Sequence, residues 1–161
     1  ITVRQFYEAG RKVLDLETEC THACLDREIT EEAINRPGLA LAGFFKYFAK
    51  RRIQVLGLAE LTYLSSLDGK ERLARLRQMF KQQIPAMVVT RNRHPMPEMV
   101  RLSREFKIPL LRTSMITGRF MNAATVLIEN LTAPRMRVHG TMVDILGVGV
   151  LIEGEPGIGK S

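Results

Sequence analysis

The sequence predicts an α/β fold in two parts: an N-terminal α/β domain with βαβ units and a parallel or mixed sheet, then a β-hairpin that opens a second domain. Three observations predict it. Two short apolar runs, "IPAMVVT" and "IPLLRT", flank a single amphipathic stretch, a spacing that suits strand, crossover helix and parallel strand. Beyond residue 132 the apolar residues change from helical spacing to near alternation. The last thirteen residues, "GVLIEGEPGIGKS", run an apolar strand into a glycine-rich loop.

Taken in order, residues 2–13 read as a short helix with Thr2 as N-cap and Val3, Phe6, Tyr7 and Val13 facing inward. A loop-rich segment follows. In "NRPGLALAGFF", Asn35 is the expected cap and Pro37 sits in the first turn, where a missing N–H costs nothing, so 38–45 reads as a helix. "RIQVLG" sets Ile53 and Val55 on one face of a strand that stops at Gly57. From Asp68, Leu73, Leu76, Phe80 and Ile84 recur at helical spacing, with Lys and Arg on the opposite side as far as Gln83. The strand at 86–90 comes next. "PMPEMVRLSREFK" is a helix with Pro97 near its start and Met99, Leu102 and Phe106 on one face, and "IPLLRT" is the second strand of the crossover. Ile116, Phe120, Ala123, Ala124, Leu127 and Leu131 describe a last helix, so the first domain is expected over 1–132. In 133–161, Met136, Val138 and Met142 alternate with Arg137, His139 and Thr141, "GVG" at 147–149 marks the turn, and 150–153 is the returning strand.

Composition excludes several classes. At 161 residues, 45% hydrophobic and 25% charged, the chain is globular rather than disordered or fibrous. Its apolar runs fall far short of the roughly 20 residues a bilayer-spanning helix needs, and no signal peptide opens it, which predicts a cytoplasmic protein without a membrane partner. The missing initiator Met and the abrupt finish at Ser161 predict a piece of a longer protein. Cys20, His22 and Cys24 crowd three potential ligands into five residues with no fourth at a zinc-like spacing, so they read as ordinary thiols and a surface His. The net charge of +7 suits an acidic partner, but the cations are spread over "KYFAKRRIQ", "GKERLARLRQMFKQQ", "RNRH" and "RMRVHG". A solvated basic face accounts for that distribution, and no nucleic-acid motif accompanies it.

The chemistry is concentrated at the end of the sequence. Gly154, the four residues Glu155, Pro156, Gly157 and Ile158, then Gly159, Lys160 and Ser161 complete the phosphate-loop pattern. Glycines let backbone N–H groups turn toward phosphate oxygens, Lys160 would meet the β and γ phosphates of ATP, and the Ser161 hydroxyl would bind Mg²⁺. The helix that normally shares the phosphate charge would begin at Lys160, so the 161-residue chain by itself is expected to bind nucleotide weakly or not at all. A reversal at Gly147 and Val148 would pair residues whose numbers sum to about 295. That register sets His139 across from residues near Pro156, where its imidazole could donate to phosphate or assist proton transfer. An outward-facing structural His is the alternative.

On "INRPGLALAGFFKYFAKRRIQVLG", "IPAMVVTRN", "IPLLRTSMITGRF" and "LTAPRMRVHGTMVDILGVGVLIEGEPGIGKS", the sequence resembles the HPr kinase/phosphorylase family. These bacterial enzymes phosphorylate a serine of HPr, the phosphocarrier of the sugar phosphotransferase system, and remove that phosphate again, regulating carbon metabolism. The resemblance implies an N-terminal α/β domain similar to one of a cell-wall ligase, a catalytic domain related to phosphoenolpyruvate carboxykinase, and hexamers. It implies an active-site role for His139, phosphate binding by Lys160 and a magnesium ligand in Ser161. The family's catalytic Asp is expected beyond Ser161. Where the family reads Gly-Asp-Ser-Gly-Ile-Gly-Lys-Ser, this chain carries Glu155 and Pro156, and the proline removes a backbone N–H. Nucleotide affinity and the kinase/phosphorylase balance are the properties that change would touch. Two rival readings stand beside the kinase: a basic α/β module that binds nucleic acid or protein, and a phosphate-loop ATPase of unrelated function.

Overall fold

Thr2 starts the first helix as its residue type predicts. In the computed structural model, which describes residues 1–19, 22–135, 140–145 and 148–153, its hydroxyl accepts from Gln5 N at 3.2 Å. The Gln5 side chain in turn accepts from Thr2 N at 2.9 Å, which completes a capping box. Helix α1 (Val3–Val13) buries Val3, Phe6 and Tyr7. Val13 is 69% exposed, however, and Leu14 takes the buried place, because the helix ends just as that face turns to solvent.

Strand β1 (Leu16–Thr18) and a 3₁₀ turn (His22–Asp26) occupy the segment expected to be loop. Asn35 does not cap the next helix. Its backbone bridges to the sheet, its N–H donating to Ile53 O at 3.0 Å and its carbonyl accepting from Val55 N at 2.8 Å. Pro37 is the N-cap residue, and α2 (Gly38–Leu41) is a single turn rather than a helix over 38–45. Two residues later Gly43 adopts φ +99°, a conformation that no L side chain adopts without strain. Then come β2 (Gln54–Leu56), α3 (Leu58–Ser66) and α4 (Gly69–Phe80), the last capped by Asp68 accepting from Glu71 N at 2.7 Å. The predicted crossover follows as β3 (Met87–Val89), α5 (Pro97–Phe106) and β4 (Leu110–Thr113), with Pro97 in the first turn. Helix α6 (Thr117–Thr132) ends where the sequence predicts, but Ile128 is its fully buried residue near that end, and Ile116 is a half-exposed cap position.

The sheet is mixed, in the order β1-β4-β3-β2: β2, β3 and β4 run parallel, and β1 pairs antiparallel to β4. Val55 lies opposite Val88, and Val88 opposite Leu111, so one row of side chains crosses the sheet. That row packs with Phe6, Phe120, Ala124 and Ile128 of α1 and α6. The alternate residues Leu56, Met87, Val89 and Leu110 point to the other face, into leucines, methionines and Phe80 of α3, α4 and α5. The sheet is therefore buried on both sides, which is why its strands read as continuous apolar runs. A separate two-stranded sheet pairs β5 (Gly140–Ile145) with β6 (Val148–Glu153).

Candidate functional site

All of the predicted chemistry, His139 and residues 154–161 including Lys160 and Ser161, lies outside the described residues. Their neighbours in sequence are described. Gly140 pairs with Glu153, and the ladder continues through Thr141↔Ile152 and Val143↔Val150 to Ile145↔Val148. Paired numbers sum to 293 throughout this ladder rather than to about 295. The reversal falls between Ile145 and Val148, and Gly149 belongs to β6 rather than to the turn. Strand β6 is thus paired up to the residue before Gly154, the strand-into-loop order that a phosphate loop requires.

Open α/β sheets bind their ligands at the carboxyl end of the parallel strands. Here that edge is filled by the protein's own polar groups. Gly57 closes β2 and caps α3 without a side chain, so Glu60 reaches back and accepts from Gly57 N at 2.9 Å. Arg36 completes the arrangement, Nε donating to one Glu60 oxygen at 3.0 Å and Nη2 to the other at 2.8 Å. Burial pushes the Glu60 carboxyl up, but the Arg36 hydrogen bond, two backbone N–H groups and the Arg36 charge together hold it below the usual carboxylate range. The same bond raises the Arg36 guanidinium. A Cβ on Gly57 would stand 2.6 Å from Thr117 Oγ1 and 2.9 Å from Arg36 Nη2, so no room remains there for a ligand. Next to it, the Thr90 and Thr117 hydroxyls bond at 2.8 Å, and Thr90 also donates to Leu56 O. Thr113 donates to Leu14 O at 2.5 Å and accepts from Met115 N. These contacts tie the loops after β2, β3 and β4 to one another and supply no nucleophile with a base beside it.

Seven of the 22 described lysines and arginines are paired. Arg4, Arg36, Arg52, Arg72, Arg75, Arg77 and Arg112 each lie within ion-pair distance of a carboxylate. Among the described residues no group of three or more His, Cys, Asp or Glu could hold a metal, and no helix is long and apolar enough to cross a membrane. Cys24 is buried, and Cys20 lies outside the described residues. One concave surface was not legible as such: a cleft between α2 and the segment 44–52, whose aromatic residues the sequence assigns in part to a helix. The only signal for it is the aromatic-basic run "FFKYFAKRR".

Comparison with known proteins gives consistent matches. An HPr kinase/phosphorylase of Listeria monocytogenes is 38% identical over 161 residues, covering 100% of this chain and 50% of its own length. One from Brevibacillus brevis is 43% identical over 137 residues, 85% of this chain and 44% of its own. One from Caldicellulosiruptor bescii is 37% identical over 155 residues, 94% and 50%. The chain spans about half the length of these curated relatives. A solved structure of the CBS and DRTGG domains from a Clostridium perfringens pyrophosphatase covers 78% of this chain and 49% of its own at TM-score 0.44 and 11% identity, a likeness too slight to carry an argument. The family described as HPr Serine kinase N terminus matches residues 1–128, and the chain belongs to that family.

Proposed function

We propose that residues 1–132 are the N-terminal domain, and 133–161 the first hairpin and phosphate loop of the catalytic domain, of a bifunctional enzyme. That enzyme is an ATP-dependent protein-serine kinase and phosphorylase, acts on HPr in the cytoplasm as a homo-oligomer, hexameric in the family, and regulates carbon metabolism. The observation that carries the reading is the alignment with the Listeria relative, which runs through all 161 residues and so includes the loop. The donor set suits a polyphosphate: Gly154, Gly157 and Gly159 for backbone N–H donation, an ammonium in Lys160 and a hydroxyl in Ser161. The paired strand β6 leads into it.

In this reading Lys160 stabilises charge on the β and γ phosphates, and Ser161 is the residue that would hold Mg²⁺. Bound Mg-ATP supplies the phosphoryl group and the counter-charge. Continued by one pair, the register of the hairpin would set His139 opposite Gly154, within reach of the cradle's first turn, where it donates to phosphate or holds a proton. The nucleic-acid module has less in its support, because the sequence carries no nucleic-acid motif and the relatives it matches are named HPr kinase/phosphorylase.

The test is transfer of radiolabel from ATP to purified HPr by the full-length protein. Transfer to a serine, lowered at least about 100-fold by Lys160→Ala, is the expected result. A full-length protein that leaves HPr unlabelled, while hydrolysing ATP or binding RNA, would sink the proposal.

A further inference from the structure

The segment joining α2 to β2 carries a surface for which the phosphoryl-transfer reading has no use. Phe45 and Phe48 meet edge to face, ring centroids 5.5 Å apart, and pack against the core beneath α3, α4 and α5. Anchoring those two rings turns their neighbours outward: Phe44 is 54% exposed and Tyr47 92%, beside Leu39 at 71%. Three of the large apolar side chains left in solvent therefore line one cleft of about 270 Å³, with Arg36, Lys46 and Arg52 also on its walls.

The cleft is held in shape. Phe48 N donates to Phe45 O at 3.0 Å, Lys50 N to Phe48 O at 2.9 Å and Arg52 N to Ala49 O at 3.2 Å. The buried Gln54 amide clamps the far end, donating to both Ala49 O and Arg52 O at 2.8 Å. Within it Tyr47 has φ 61°, a left-handed conformation in which a bulky residue is a steric outlier. Its ring gains no burial in return. Fold stability does not explain an aromatic side chain at that position, whereas a contact made in a complex does.

Charge and size indicate what makes the contact. Arg36 and Arg52 are matched by Glu60 and Glu31, but Lys46 rests over the Tyr47 ring at 5.4 Å. Lys46, Lys50 and Arg51 are exposed and face no carboxylate among the described residues. The patch is apolar at its centre and positive at its rim. Its volume is below the roughly 300–1,000 Å³ of small-molecule pockets and suits one or two inserted side chains. We infer that this cleft docks an acidic segment of a partner protein, which inserts an apolar anchor between Leu39, Phe44 and Tyr47 while its carboxylates meet Lys46, Lys50 and Arg51. The inference is independent of the phosphate loop.

A displayed library of random dodecapeptides, panned on the full chain at low salt, tests it. The counter-target is the triple variant K46E/Y47A/R51E, which alters only exposed side chains and is checked for an unchanged urea midpoint. Recovered peptides should be rich in Asp and Glu around an aromatic or Leu residue. Their synthetic copies should bind the triple variant at least about tenfold more weakly, and the native chain more weakly as salt rises. The inference is overturned by a pool with no acidic enrichment, by equal binding to the triple variant, or by Tyr47-dependent binding of a uridine oligonucleotide or phosphatidylserine vesicles in place of the peptides.

Discussion

Glu60→Gln keeps the shape of a side chain that is only 6% exposed and removes its charge. The carboxylate accepts three bonds, from Arg36 Nε, Arg36 Nη2 and Gly57 N, at 3.0, 2.8 and 2.9 Å. Glutamine offers one acceptor oxygen. If it keeps the Gly57 N–H, its amide nitrogen faces Arg36, donor against donor. Bonds to charged groups contribute about 1.5–3 kcal/mol each. Arg36 is 41% exposed and can turn to water, which discounts its share, so the expected loss is about 2 kcal/mol. For a chain of this size that lowers Tm by about 4–8 °C. The pH dependence has a definite sign. The folded protein holds Glu60 below the usual carboxylate range, while in the unfolded chain it titrates near about 4.3. Its contribution is therefore fully present above that unfolded value and is lost as pH falls through the folded one. Urea melts of the two proteins should differ by a constant amount near neutrality and converge in acid. Identical midpoints at pH 7, or a gap that widens on acidification, would refute the assignment of Glu60 as a buried ion-paired cap.

Substitutions at Gly57, Gly43, Phe120 and Val13 probe the packing, each by urea denaturation. Gly57→Ala should cost about 1–3 kcal/mol by crowding Thr117 and Arg36, and the double variant with Thr117→Ala should cost less than the sum of the two singles. Gly43→Ala should cost at least about 1 kcal/mol because its φ is +99°, and Arg75→Ala, which clears the one side chain in the way, should not restore it. Phe120→Ala should cost about 3–5 kcal/mol, whereas Val13→Ala, at 69% exposure, should stay within about 0.5 kcal/mol of the native chain.

Elements whose cause is local are legible in the sequence. Thr2 and Gln5 cap α1 with groups three residues apart, and β3, α5 and β4 follow so closely that a crossover is forced. Strand β1 has no such signal. Three residues become a strand because β4 offers an antiparallel edge, with Leu16 opposite Thr113, and nothing within the segment announces that distant partner. Helix α3 buries Leu61 and Leu64 over nine residues, too few apolar positions for a period to stand out, and its cap is the reach-back of Glu60 rather than an N-cap side chain. Asn35 shows the opposite error. The residue type suits a cap, but its backbone is taken by the sheet and its amide by Gln54 Oε1 at 2.7 Å.

The phosphate-loop motif is a pattern of contiguous residues and so stands in the sequence itself, whereas the cleft is hidden because its geometry depends on a break. "GFFKYF" suits a helix until Gly43 leaves helical space, after which residues 45 and 48 face the core and 44 and 47 face water. The hairpin register lies between these cases. Gly147 and Gly149 are equally good turn residues by type, and moving the reversal by one residue moves every pairing by two, which is the difference between sums of 295 and 293. Strand side chains alternate with a period of two, so an even shift leaves each residue on its own face and slides its partner along the ladder by about 7 Å. The shift therefore changes which residues meet between Gly140 and Glu153, so that Gly149 pairs with Asp144 inside the ladder instead of closing the turn.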